Sequence, residues 1–223
     1  MNCFILLGPP GAGKGTQAQL LSHQFSIPRL STGDMLRAAI SAKTAVGQRV
    51  ESIMAVGRLV PDEVVMQLIE ERTTAQDCKQ GFVLDGFPRT IAQAAGLNEM
   101  LQNRGIDLNH DLVIINLEVV TDKLVERISG RFACKNCGQS YHKKFLAPRQ
   151  LGICDRCGST EFIHRQDDTE EVVRARLLEY EKQTMPLLNY YGEKIWHIDG
   201  MQSVEDVSGD IAKLCDARQK ERK

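Results

Sequence analysis

No stretch of these 223 residues approaches the ~20 consecutive apolar positions that a membrane-crossing helix requires, so no span is expected. A basic leader and a cleavage site are also lacking. The first residues belong instead to an apolar run and a glycine-rich turn, so no signal peptide is expected and the default compartment is the cytoplasm. An excess of either charge is missing, since 28 Lys and Arg stand against 29 Asp and Glu for a net charge of −1. Bulk nucleic-acid binding through a basic surface is therefore disfavoured, and arginines serving a polyanion must be gathered locally. A disulfide framework is not expected either, although there are seven cysteines. Four of them form two C-x-x-C pairs. Cys3, in an apolar run, reads as a small buried hydrophobe, and Cys78 and Cys215 receive no role. No repeat is longer than the two cysteine knuckles. With 42% apolar and 26% charged residues, the chain has the makings of one large domain, or a core with small insertions.

What the chain does have begins at Gly8-Pro9-Pro10-Gly11-Ala12-Gly13-Lys14-Gly15-Thr16. The apolar run 2–7 enters this stretch and a helix-patterned run leaves it. Strand, glycine-rich turn and helix in that order is the setting of a phosphate-binding loop. Its glycines let successive backbone N–H groups face an anion, the helix N-terminus adds positive potential, and Lys14 supplies a mobile charge. The general motif places Ser or Thr directly after the lysine to reach magnesium. Here Gly15 stands there, so Mg²⁺ is expected to rest mostly on phosphate oxygens and water.

The rest of the chain alternates strands with helices. Ile27 to Leu30 reads as extended. Ser31 and Thr32 open a helix carrying Met35, Leu36, Ala39 and Ile40; Val46 to Val56 forms a second, stopped by Gly57; and Pro61 opens a third. Gly81 to Asp85 is a buried strand, Thr90 caps a helix to about Asn103, and Leu112 to Leu117 is another strand. A helix capped at Thr121 follows. Thr169 to Tyr190 reads as a long helix broken near Pro186, Lys194 to Ile198 as a last strand, and Val204 to about Arg218 as a final helix, with a charged, fraying tail. This order predicts an α/β fold, a P-loop NTPase-like parallel sheet with helices on both faces. Two segments interrupt it, a helical flap at 31–60 and a loop-rich, zinc-ribbon-like lid at 130–165. The core is then 1–30, 61–129 and 166–223.

Several side chains carry chemistry. Cys134, Cys137, Cys154 and Cys157 have sixteen residues between the pairs, which is zinc spacing. Four thiolates close a tetrahedral shell, so such a metal is structural, and Lys135 and Arg156 would offset its charge. The aromatics Phe132, Tyr141, Phe145 and Phe162 read equally well as a lid minicore. Asp85, an acid at a strand end beside the phosphate loop, is read as holding magnesium through water. Arginines cluster at flap hinges and strand ends: Arg37, Arg89, Arg127, Arg131, Arg165, Arg174 and Arg176. Arg127 and Arg131 share a helical face if the helix reaches that far. Arg174 and Arg176 cannot both face one site. Asp167 and Asp168 suit helix capping as well as a role at the lid junction. The five histidines show no metal or base pairing and are read as structural.

The phosphate loop, Ser31-Thr32-Gly33-Asp34-Met35-Leu36-Arg37, Leu84-Asp85-Gly86-Phe87-Pro88-Arg89-Thr90, Gly130-Arg131 and Arg165-Gln166-Asp167-Asp168 together resemble the adenylate kinase family of nucleoside monophosphate kinases, in its long-lid form. The resemblance spans nearly the whole chain. It implies the reaction MgATP + AMP ⇌ MgADP + ADP, with Mg²⁺ accompanying ATP and structural Zn²⁺ in the lid. On it, Gly11, Ala12, Gly13, Lys14, Gly15 and Thr16 cradle the ATP phosphates. Arg127, Arg131, Arg165 and Arg176 neutralise phosphates as the lid shuts, the last two from the AMP side, and Arg89 and Asp85 complete the catalytic set. Ser140, Tyr141 and the backbone of Gln202 meet the ATP end. Thr32, Arg37, Arg58, Leu59, Val60, Gly86, Phe87, Pro88, Arg89 and Gln93 line the AMP site. Gln93 suits base reading because a carboxamide both donates and accepts, and Phe87–Pro88 is expected cis. Partners implied are nucleotides only, with no nucleic acid and no membrane, and the self-contained flaps suggest a monomer. UMP, CMP or GMP as acceptor, or GTP as donor, are the rivals within the class. A P-loop switch would want Ser or Thr after Lys14, and a zinc-ribbon nucleic-acid binder would want a basic surface.

Overall fold

The computed structural model describes residues 2–120 and 124–221. Its centre is a parallel sheet of five strands, β1 (Asn2–Leu7), β2 (Arg29–Ser31), β3 (Gly81–Asp85), β4 (Leu112–Glu118) and β8 (Ile195–Asp199), in the order β2-β3-β1-β4-β8. The three central strands are covered on both faces, so each is a near-continuous apolar run. Side-chain alternation still sorts them. Cys3, Ile5 and Leu7 of β1, with Phe82 and Leu84 of β3, pack against α4 (Asp62–Thr73), α5 (Ile91–Asn103) and α8 (Pro186–Tyr191). Phe4, Leu6, Val83, Ile115 and Leu117 pack on the opposite face against α1 (Lys14–Phe25) and α9 (Val204–Glu221). Truncating a fully buried ring such as Phe82 to alanine costs about 3–5 kcal/mol. Cys3 is part of this core, and burial pushes its thiol up to about 12.

The interrupting segments have their own secondary structure. α2 (Thr32–Ser41) and α3 (Ala45–Ala55) form the helical pair, capped by Ser31 and Thr44, whose hydroxyls accept from the backbone N–H of Asp34 and Gly47. The cysteine segment, expected to be loop-rich, contains a three-stranded antiparallel sheet, β6-β5-β7, built from β5 (Arg131–Cys134), β6 (Ser140–His142) and β7 (Phe162–Ile163). Strands this short leave no alternation to read.

Three boundaries differ from the sequence reading. α6 (Leu124–Ser129) ends before Arg131, which opens β5, so Arg127 and Arg131 do not share a helical face. The expected cap at Thr121 lies outside the described residues. The expected long helix is α7 (Glu170–Glu179), then a π-turn at Tyr180–Thr184 and α8, so the break precedes Pro186. That turn, closed by Met185 N donating to Tyr180 O at 2.8 Å, delivers Thr184 to the carbonyl of Arg89 at 2.9 Å. α9 continues as helix to Glu221, beyond the expected end near Arg218.

Candidate active site

The turn after β1 has the form a phosphate loop needs. Gly13, at φ +94°, caps α1 in a left-handed conformation, which costs a residue with a Cβ about 1–2 kcal/mol. Lys14 folds back over the loop and donates to the carbonyls of Gly8 (2.7 Å) and Pro9 (2.9 Å). Burial pushes its amine down to about 7; Asp85 opposes that shift, while Arg89, Arg176 and Arg131 add to it.

The structure explains why Gly15 replaces the usual hydroxyl residue. A Cβ there would stand 3.1 Å from Arg29 Nη2 and 3.3 Å from Asp85 Oδ2. Those groups form an ion pair, with Arg29 Nε and Nη2 donating to the same Asp85 Oδ2 at 3.0 and 2.6 Å. Asp85 Oδ1 has no hydrogen-bond partner among the described residues. A carboxylate with one oxygen fixed and one free, beside the phosphate loop, fits a hydrated magnesium ion.

Two chambers open over the C-terminal ends of the strands, where ligands of open α/β sheets collect. The larger spans about 1200 Å³, part of it open to solvent, and is lined by Gly11 to Thr16, Asp85, Arg127, Arg131, Ser140, Tyr141, Arg165 and Gln202, among others. The smaller, about 550 Å³, is lined by Thr32, Leu36, Arg58, Leu59, Val60 and Gln93 and by Asp167. Gly33, Arg37, Gly86, Arg89 and Arg176 line both. The arginines converge although they are spread along the chain from Arg37 to Arg176. Arg174 does not join them; it is exposed and pairs with Glu170.

Carboxylates hold this cluster. Asp34 accepts from Arg29 (3.0 Å), Arg37 (2.6 Å) and Arg165 (3.3 Å). Asp167 accepts from Arg176 (3.1 Å) and Arg37 (3.4 Å). Asp168 takes Arg131 through both of its oxygens and Arg176 at 3.3 Å. Despite its burial, Asp34 is held well below the usual carboxylate range by Arg37, Arg29 and Arg165. Burial and neighbouring arginines, Arg176 for one and Arg37 for the other, push the guanidinium groups of Arg89 and Arg165 down to about 10. Asp167 and Asp168 do not cap α7; the Thr169 hydroxyl does, accepting from Val172 N.

Some expected contacts are placed differently. Phe87 is fully buried in the core, and Pro88 lines an adjoining hollow that shares Gly86, Arg89 and Arg176 with both chambers, although the bond between them is cis as expected. The Thr32 hydroxyl donates to Gly86 O at 2.9 Å. Tyr141 lines the larger chamber, but its hydroxyl turns into the lid. Phe145 leaves the lid minicore and lies under Arg127 (5.7 Å) and Lys144 (5.6 Å), with the His142 ring 4.5 Å away. His142 and Phe145 both line the larger chamber. The sequence reading counted Phe145 among the lid aromatics and His142 as structural, and it assigned no role to Arg29, Asp34 or Asp62. The available signal for His142 and Phe145 was their position just after Ser140-Tyr141.

In the lid, the Sγ atoms of Cys134, Cys137, Cys154 and Cys157 all lie within 4.8 Å of one another. The pairs Cys134–Cys157 and Cys137–Cys154, at 3.6 and 3.5 Å, approach the S–S edge of about 3.8 Å that a tetrahedral thiolate shell with ~2.3 Å bonds requires. Gly138 N and Gly158 N donate to the carbonyls of Cys134 and Cys154, closing each knuckle. Tyr141, 3% exposed, stacks on Phe132 and meets Phe162 edge-on. Its hydroxyl donates to Cys154 Sγ at 3.4 Å and accepts from Asp155 N at 2.7 Å. Although burial opposes it, this bond and the Arg156 and Cys157 amides hold the Cys154 thiol below its ordinary value. The Lys135 amine pairs with Glu161 at 2.8 Å.

A phosphate loop on a parallel sheet, with paired chambers joined by arginines, defines the class of P-loop nucleotide-binding proteins. The adenylate kinase family model matches residues 6–196. The chain is 47% identical to an adenylate kinase of Allorhizobium ampelinum over 210 residues, 93% of this chain and 96% of that protein. It is 49% identical to adenylate kinases of Rhizobium rhizogenes (93% and 96% covered) and Rhizorhabdus wittichii (96% and 99%). The chain belongs to the adenylate kinase family.

Proposed function

We propose that the chain transfers the terminal phosphoryl group of MgATP to AMP, reversibly, giving two ADP, and so balances the adenine nucleotides. One observation carries the reading: the two chambers meet at Arg37, Arg89 and Arg176, so a donor lying along the phosphate loop and an acceptor in the smaller chamber would bring their phosphates together among fixed positive charges. The AMP phosphate is already an anionic nucleophile, so positioning and charge stabilisation suffice and no general base is needed.

In this reading Lys14 leaves the loop carbonyls for the transferring group. Arg127 and Arg131 bind from the donor side, and Arg165 and Arg176 reach the acceptor. Asp85 would hold magnesium, which when bound supplies positive charge against the ATP phosphates. Gln93 would read the acceptor base, and the neighbouring rings of His142 and Phe145 would take the donor base. Residues 31–60 act as the acceptor flap and 130–165 as the lid, closing on the core (1–30, 61–129 and 166–223) to exclude water, which would otherwise take the phosphoryl group. The cysteines would hold one zinc as a lid staple.

The chain is taken to act as a monomer in the cytoplasm, on nucleotides alone; no helix among the described residues is long and apolar enough to cross a membrane. Chromatography of reactions with MgATP and each of AMP, UMP, CMP and GMP tests the function. ADP forming at twice the rate of AMP loss, and only with AMP, is expected. Preferred transfer to another acceptor, or none at all, refutes it.

A further inference from the structure

Gln93, the third residue of α5, is 1% exposed yet lines the smaller chamber. Its carboxamide is held at both ends. Oε1 accepts from Arg89 N at 2.8 Å, and Nε2 donates to Asp62 Oδ1 at 2.7 Å. The other Asp62 oxygen accepts from the Thr90 hydroxyl at 2.8 Å, and that hydroxyl accepts from Gln93 N at 3.1 Å. A primary amide has two donor hydrogens and two acceptor lone pairs. Each end of Gln93 therefore retains one valence with no partner among the described residues.

A carboxamide free to rotate does not choose between purines. In one orientation it accepts from a 6-amino group and donates to N1. Turned by half a revolution, it donates to a 6-oxo group and accepts from N1–H, with the same number of hydrogen bonds. The surroundings of Gln93 remove this freedom. The backbone N–H of Arg89 accommodates only an oxygen, and the carboxylate of Asp62 accommodates only an NH₂ group. Reversing the amide would set N–H against N–H and carbonyl oxygen against carboxylate, a double mismatch in a buried site.

We propose that Asp62 is a positioning residue that locks the Gln93 amide in one orientation and so sets acceptor specificity for a 6-aminopurine over a 6-oxopurine monophosphate. The inference rests on the reading that the smaller chamber takes the acceptor base. Asp62 belongs to α4 and Gln93 to α5, so the lock is a tertiary contact and not a property of either helix.

The test compares AMP with IMP, the 6-oxo analogue, in the full-length protein and in Asp62→Asn. Asparagine offers Gln93 either an oxygen or an NH₂ group and so removes one of the two constraints on the amide, leaving only the Arg89 N–H to favour the original orientation. The ratio of kcat/KM for AMP to that for IMP should fall at least about tenfold, the share of one charge-assisted hydrogen bond. KM for AMP should rise while KM for IMP falls. Opposite signs are the signature, because a structural lesion would weaken both acceptors together. Thr90→Val removes the hydroxyl bond to Asp62 and the helix cap but leaves the Asp62–Gln93 bond. Its thermal midpoint should drop while the AMP-to-IMP ratio holds within about twofold. In the unaltered protein, the two side-chain amide protons of Gln93 should be widely separated by NMR, one shifted downfield by the carboxylate. This measurement tests the Asp62–Gln93 bond on which the lock depends even if Asp62→Asn does not fold.

An unchanged ratio in Asp62→Asn, a common loss for both acceptors, or amide protons with the separation of a solvated glutamine each overturns the proposal. Wild-type protein that fails to use AMP refutes the functional reading itself. Wild-type protein that uses AMP, with no relaxation in the variant, refutes only the lock.

Discussion

Tyr141→Phe separates the lid's hydrogen bonds from its packing. The ring keeps its place between Phe132 and Phe162, since only an oxygen is lost. That oxygen makes two bonds, accepting from Asp155 N at 2.7 Å and donating to Cys154 Sγ at 3.4 Å. The first is worth about 1 kcal/mol and its loss strands a partly buried amide; the second bonds a sulfur that is a thiolate once metal is bound, and is worth about 1–2 kcal/mol. Together they predict zinc binding weaker by about 10–100-fold, the range measured when partners of metal ligands are removed. Competition against a chromophoric chelator reads this directly on purified, zinc-loaded protein. Phosphoryl transfer at saturating substrate should change far less, because the hydroxyl points away from the chambers. Zinc affinity within about threefold of wild type would refute the argument and leave Tyr141 only a packing role.

Three further outcomes are expected. Removing zinc should release four thiols to a disulfide-exchange reagent in the folded protein, with the buried Cys3, Cys78 and Cys215 unreactive, and should lower the thermal midpoint because the lid's own buried cluster is only Cys134, Tyr141 and Cys154. With Lys14 pushed down to about 7 in the folded, nucleotide-free protein from an ordinary lysine value of 10.5, the unfolded chain binds more protons between those values. Stability without nucleotide therefore gains a contribution from Lys14 as pH rises through that window. ATP binding above pH 7 should take up a proton, which calorimetry in buffers of different ionisation heat detects; a null difference at pH 8 refutes it. Gly15→Ala gains about 1 kcal/mol of helix propensity but crowds Arg29 and Asp85, so the thermal midpoint should move by less than about 4 °C while the Mg²⁺ needed for half-maximal rate increases. An unchanged Mg²⁺ titration counts against Asp85 as the magnesium residue.

The sequence made the central sheet legible because β1, β3 and β4 are buried on both faces and read as unbroken apolar runs. Ser31 and Thr90 marked helix starts because their side chains do the capping that their residue types favour. What stayed hidden depends on contacts distant along the chain. β2 is a three-residue edge strand that exists only through pairing with β3. Arg29 is one arginine among many until the sheet places it against Asp85, and Asp62 looks like an ordinary first-turn acid until α5 arrives beside it. The lid aromatics divided unexpectedly because packing in three dimensions, not spacing, puts Phe145 outside the minicore.

The arginine cluster has one more consequence. Asp34, Asp167 and Asp168 occupy the guanidinium forks that nucleotide phosphates would need. The resting chamber is therefore an anion exchanger already loaded with counter-ions, and these are tethered to the chain. On the proposed reading, an incoming phosphate would displace a carboxylate rather than water, and would meet guanidinium groups that are already ordered. When product leaves, the displaced aspartates would still be within reach at fixed effective concentration, and their return would help to eject it. The same three side chains would then organise the site for entry and keep it from holding its product too tightly.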